Sequence, residues 1–135
     1  MSELHFYSVN KLFVVNKTSS AAEILLYGFI DNYDCNANDF VRELRSLEKD
    51  FATINVKISS GGGSVFEGFV IYNAIIQSKA EVNTYIDGLA ASMASIIALA
   101  GKKVYMSKVA RLMTHKPSAG MFGNSEDLKQ QAEVL

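Results

Sequence analysis

Short aliphatic and β-branched runs alternate along this chain with segments of helical period, and that alternation constrains the fold more than any single residue. Residues 22–30 form an apolar run of strand type. Phe40, Val41, Leu44 and Leu47 then fall on one face, which predicts a helix over 40–47. Asn36 or Asn38 is its expected cap, and Asp39 in the first turn suits the helix dipole. Residues 53–58 alternate strictly and carry β-branched side chains, as a strand does. Helical spacing returns over 64–77, with Val65, Phe69, Tyr72 and Ile76 on one face and Ser64 with Glu67 as a capping box. A strand over 82–86, a small-residue helix over 90–100 ending at Gly101, and short strands over 104–106 and 110–114 complete the pattern. A last helix is expected over 126–135, capped by Asn124 or Ser125, with no glycine, proline or basic final turn to stop it. It reads as a helix cut short by the chain end. Strands joined through helices require right-handed crossovers and a largely parallel sheet. The fold class is α/β.

At 135 residues and 49% hydrophobic side chains, the chain suits one domain over 1–135. Thirteen basic against 14 acidic residues give a net charge of −1. That balance supplies no basic face for phosphates and no polybasic membrane patch, so neither nucleic acid nor membrane is expected as a partner. Cys35 stands alone, so an internal disulfide is excluded, and no Cys/His pair has zinc-ligand spacing; no metal is expected. Cys35 is read as a small packing residue, and His5 as a structural or surface histidine. The start of the chain carries no secretory pattern. The most apolar run, over 89–100, is broken by Ser92 and Ser95 and falls short of the roughly 20 residues a membrane span needs. A cytoplasmic protein is the expectation.

Three segments at strand ends hold chemistry. The first, from Ser59 to Ser64, contains Gly61, Gly62 and Gly63 between a strand and a capped helix. Consecutive glycines let backbone amides approach an anion closely, although a plain flexible turn has the same composition. The Gly-Lys-Ser/Thr ending of a phosphate-binding loop is missing. The second runs from Gly88 to Ser95 and places Ser92 at a helix start. There the dipole favours developing negative charge and the next amide can hold an oxyanion; Ser92 as a mere helix cap fits equally well. The third, Leu112 to Pro117, puts His115 at a strand end before a turn, as a general base or as a structural histidine. Together a hydroxyl, an imidazole and amides at neighbouring strand ends fit acyl transfer.

These segments resemble those of the ClpP-type serine peptidases, within the ClpP/crotonase fold. Ser60-Gly61-Gly62-Gly63, followed by Gly68 and Ile71-Tyr72, is similar to the family's Ser-Pro-Gly-Gly segment and its helix. The stretch from Gly88 to Ser95 resembles the nucleophile motif, and Met113-Thr114-His115-Lys116-Pro117 the Met-Ile-His-x-Pro motif. The likeness covers residues 22–135 in family order. The continuation over 94–97 and the stretch 123–128 resemble the phage and prophage branch, whose members are associated with capsid maturation. The resemblance implies repeated ββα units with a truncated C-terminal handle helix. It makes Ser92 the nucleophile, His115 the general base, Gly63 and Met93 the oxyanion-hole amides, and Gly62 a substrate contact. No cofactor is implied. The implied partners are peptide or protein substrates, further copies in a ring, and an unfoldase or capsid proteins. Phe66, Phe69 and Ile76 are either ring contacts or core. Gly61 stands where the family has proline, Thr114 where it has an apolar residue, and the family's acidic triad member would lie beyond Leu135; Asp127 is too near His115 to match it. Three other readings compete: a catalytically silent ring or scaffold subunit, an acyl-CoA enzyme of crotonase type, and a Ser/Lys peptidase using Lys102 or Lys103.

Overall fold

The computed structural model describes residues 20–135, together with the backbone of two strands before them, β1 (Tyr7–Ser8) and β2 (Val14–Lys17). His5 lies outside the described residues. The order continues β3 (Ala22–Tyr27), α1 (Ala37–Leu47), β4 (Thr53–Ser60), α2 (Val65–Ile76), β5 (Glu81–Ala91), α3 (Met93–Ala98), β6 (Val104–Met106), β7 (Arg111–Met113) and α4 (Ser125–Val134). β1, β2 and β3 pair antiparallel; β3, β4 and β5 are parallel, and β5 pairs in parallel with both β6 and β7. The α/β class and the mostly parallel sheet are as the alternation of segments requires.

Alternation along β3 and β4 buries Ala22, Ile24 and Leu26, then Ile54, Val56, Ile58 and Ser60, on one face. α1 adds Phe40, Leu44 and Leu47, none more than 1% exposed. Each such side chain contributes about 1.5–3 kcal/mol on burial. Asn36 caps α1, its side chain accepting from the Asn38 and Asp39 amides. In α2 the stripe marked by Val65, Phe69 and Ile76 is not the core face, and the capping box departs from expectation. The buried stripe is Gly68, Ile71, Ala74 and Ile75, while Val65, Phe69 and Ile76 are 43–55% exposed. The helix is apolar on nearly every side, so two stripes satisfy the period, and the one with small residues packs closer: a Cβ on Gly68 would overlap the Met93 side chain. The capping box is half made. Ser64 Oγ accepts from the Glu67 amide, but the Glu67 carboxylate accepts from the Ala37 amide at 2.8 Å, tying the start of α2 to that of α1.

β5 is where the site is set. Ile58 aligns with Ile86 but Ser60 with Ala90, so a bulge separates the two halves of the strand. Its first half pairs with β6, its last three residues with β7. The small-residue helix is therefore shorter than expected, because Ala90 and Ala91 belong to the strand. Likewise the first apolar run leaves the sheet at Tyr27, and Ile30 makes only an isolated bridge to Gly63.

Cys35 is fully buried and its thiol donates to the Tyr27 carbonyl at 3.1 Å. Burial first, then the nearby Asp34 and Asp31 charges, push its pKa up to about 12. The thiolate is the nucleophile, so the folded protein is expected to resist iodoacetamide at pH 8 and to be alkylated readily in denaturant. Equal rates in the two states, followed by mass spectrometry, contradict this packing.

Candidate active site

Ser92 follows directly on the last residue of β5. Its amide donates to the Met113 carbonyl at 2.9 Å, which fixes the end of β5 to β7. The chain then turns sharply at Ser92, with φ 54° and ψ −125°. It is the only non-glycine residue with positive φ among the described residues, in a conformation that costs about 1–3 kcal/mol. A strained strand-to-helix turn of this kind pushes the side chain out of the chain's path. Ser92 occupies the N-cap position of α3, but its hydroxyl makes no capping bond to that helix. α3 has only six residues, too few for its dipole to matter as the sequence led one to expect. What the turn offers an anion is the Met93 amide itself, an N-terminal helical N–H without a partner in its own helix.

The glycine loop lies against the same turn. Ile30 donates to the Gly62 carbonyl at 2.8 Å, and Ser64 donates to the Ile30 carbonyl at 2.7 Å. Both groups of this bridge face Ile30, so the intervening Gly63 amide faces the opposite way. Gly63 holds φ +145°, with the Ile30 backbone where a Cβ would stand. Gly62 packs behind the turn: at φ +94°, its Cβ would meet the Ala91 carbonyl at 2.7 Å and Ser92 Cβ at 2.8 Å. Its N–H is given to the buried Ser60 Oγ at 3.1 Å and its carbonyl to Ile30. Both polar groups of Gly62 are thus hydrogen-bonded inside the protein, as a support for the turn.

His115 stands two residues beyond β7, the strand that anchors Ser92, and is exposed. A cavity of about 320 Å³ is lined by Gly63, Ser92, Met93 and His115 together. Val65, Phe69, Ile96 and Pro117 supply apolar wall, and Ser95, Thr114 and Ser118 polar wall. So four of the five sequence-expected site residues meet around one space. Among the described residues, no carboxylate lines it. Asp127 is engaged elsewhere, accepting from the Asn124 amide in a complete capping box at the start of α4. Lys102 and Lys103 reach Glu81, at the far end of β5 from Ser92, at 3.1 and 4.0 Å. That removes the Ser/Lys alternative. Ser95, missed as a site residue, is 1% exposed and reaches the cavity; its spacing of three from Ser92 was the available signal. No helix among the described residues is long and apolar enough to cross a membrane.

Comparison with known proteins gives the family. The profile of the Clp protease family matches residues 10–135. The chain is 33% identical over 127 residues to the ATP-dependent Clp protease proteolytic subunit 1 of Mycobacterium leprae, covering 87% of this chain and 64% of that protein. It is 41% identical over 92 residues to subunit 1 of Corynebacterium jeikeium, covering 67% and 49% respectively. A ClpP1 mutant from Listeria monocytogenes superposes with a TM-score of 0.72 at 27% identity, over 83% of this chain and 62% of that one. The chain thus spans between about half and just under two thirds of the length of these relatives. With its parallel sheet, its glycine loop and its serine turn in matching order, the chain belongs to the Clp protease family.

Proposed function

We propose that this chain carries the nucleophile, base and oxyanion site of a serine endopeptidase acting on peptide or protein substrates. The observation that carries the reading is the meeting of Ser92, His115 and the Gly63 and Met93 amides around one cavity. Ser92 Oγ attacks the scissile carbonyl carbon while His115 accepts its proton. The carbonyl electron pair moves onto oxygen, facing the two amides. Collapse of the tetrahedral intermediate expels the amine, which takes the proton from His115, and water then hydrolyses the ester by the same route. Such donors are worth about 3–4 kcal/mol each in a comparable enzyme. This chemistry calls for no cofactor or metal.

The relatives are named as proteolytic subunits of ATP-dependent proteases, which supports work alongside a separate ATP-driven partner; a ring of copies and a cytoplasmic setting belong to the same proposal. General protein degradation fits those names; a phage-type role on capsid proteins rests on the stretches 94–97 and 123–128 alone. A fluorophosphonate probe is expected to label Ser92, and Ser92→Ala to abolish the label. Labelling unchanged in that variant sinks the assignment. A silent ring or scaffold subunit is the second reading, favoured by the lack of a lining carboxylate to orient His115 among the described residues. Hydrolysis of a short fluorogenic peptide separates the two, since a silent subunit shows no turnover once assembled.

A further inference from the structure

We infer that Ser95 is a positioning residue: its side chain aims the Met93 amide at the oxyanion. The inference rests on the peptidase reading above and concerns a residue that acts through the Met93 amide and not on the reacting atoms themselves. The peptide unit joining Ser92 to Met93 carries the Ser92 carbonyl at one end and the Met93 N–H at the other, pointing opposite ways across a planar trans bond. Whatever holds the carbonyl end therefore sets the direction of the N–H end. Ser95 holds it twice. Its hydroxyl donates to Ser92 O at 2.6 Å and its amide donates to the same oxygen at 3.0 Å.

This grip matters because the turn is strained. The ψ of Ser92, −125°, is the angle that orients this peptide, and the residue sits in a region that L side chains rarely occupy. Relaxation of the strain through ψ would swing the Met93 amide away from the cavity. On the other flank Gly62 leaves little room: a Cβ placed on it would meet Ser92 Cβ at 2.8 Å and the Met93 nitrogen at 3.1 Å. Ser95 is 1% exposed, so its hydroxyl is held inside the fold with this carbonyl as its partner. A buried serine hydroxyl in a helix commonly donates backwards to a carbonyl of its own helix; here the carbonyl it takes is the one coupled to an oxyanion donor.

The test compares Ser95→Ala, Ser95→Thr and Ser95→Val by two measurements: the limiting rate of Ser92 phosphonylation by a fluorophosphonate, and the affinity for a peptide boronic acid, whose tetrahedral adduct places an oxygen at the oxyanion position. Ser95→Ala is expected to lower the limiting rate about tenfold without changing the half-saturating probe concentration. The loss is smaller than the hundredfold or more for deleting an oxyanion donor, because the Ser95 amide still holds the carbonyl. Boronate affinity should fall in parallel, while affinity for the corresponding product peptide stays level. Thr and Val have the same shape and differ by the hydroxyl, so Ser95→Thr should label about tenfold faster than Ser95→Val even if both lose stability. Equal rates for Thr and Val, or an Ala variant that labels at the parental rate, overturn the positioning role. Failure of the parent chain to label at all overturns the peptidase reading instead.

Discussion

His115→Ala is expected to slow phosphonylation of Ser92 about a thousandfold while leaving the unfolding midpoint where it was. The expected loss is well within the roughly millionfold drop in kcat on removing the histidine of an unrelated serine peptidase. An alkyl alcohol is a poor nucleophile at neutral pH, and nothing else lining the cavity can accept its proton: Ser95, Thr114 and Ser118 are hydroxyls, and no carboxylate or lysine is among the lining residues. The two halves of the prediction separate because His115 is exposed and lies outside the core, where surface changes stay within about 0.5 kcal/mol. A variant that labels as fast as the parent removes His115 from the mechanism.

What the sequence made legible, and what it hid, follows from the range of each interaction. The strict alternation over 53–58 and the spacing of Phe40, Leu44 and Leu47 are local signals, and both elements are present with the expected faces buried. Asn36 and Asn124 act within their own helices, and both caps formed. The face of α2 was hidden because its choice depends on a neighbour: Met93 packs where a Cβ on Gly68 would stand. Glu67 likewise left its own helix for the first turn of α1. At the site, the motif order carried the grouping of Ser92, His115, Gly63 and Met93. The support roles of Gly62 and Ser95 were invisible, since both depend on the hand of the Ser92 turn, and no propensity scale assigns a serine positive φ.

That dependence makes Gly63→Ala the more damaging of the conservative changes available in this chain. The methyl would fall on the Ile30 carbonyl, with the Ile30 nitrogen and carbonyl carbon only 2.9 Å away. Backbone cannot retreat as a flexible side chain does, so the bridge must open. Two hydrogen bonds are lost with it, Ile30 to Gly62 and Ser64 to Ile30, at about 1 kcal/mol each. A φ of +145° in a residue with a Cβ adds about 1–2 kcal/mol. The sum, about 3–4 kcal/mol, corresponds to a fall of about 10 °C or more in Tm for a domain of this size. Because Ser64 caps α2 through the Glu67 amide, the start of that helix loosens too, and the wall formed by Val65 and Phe69 moves with it. Gly120→Ala is the control: nothing lies within 4 Å of its Cβ position, so Tm and labelling should both hold. A Gly63→Ala protein with the parental Tm would show that the loop does not cross Ile30 as described, and that its amide is free to point elsewhere than at the nucleophile.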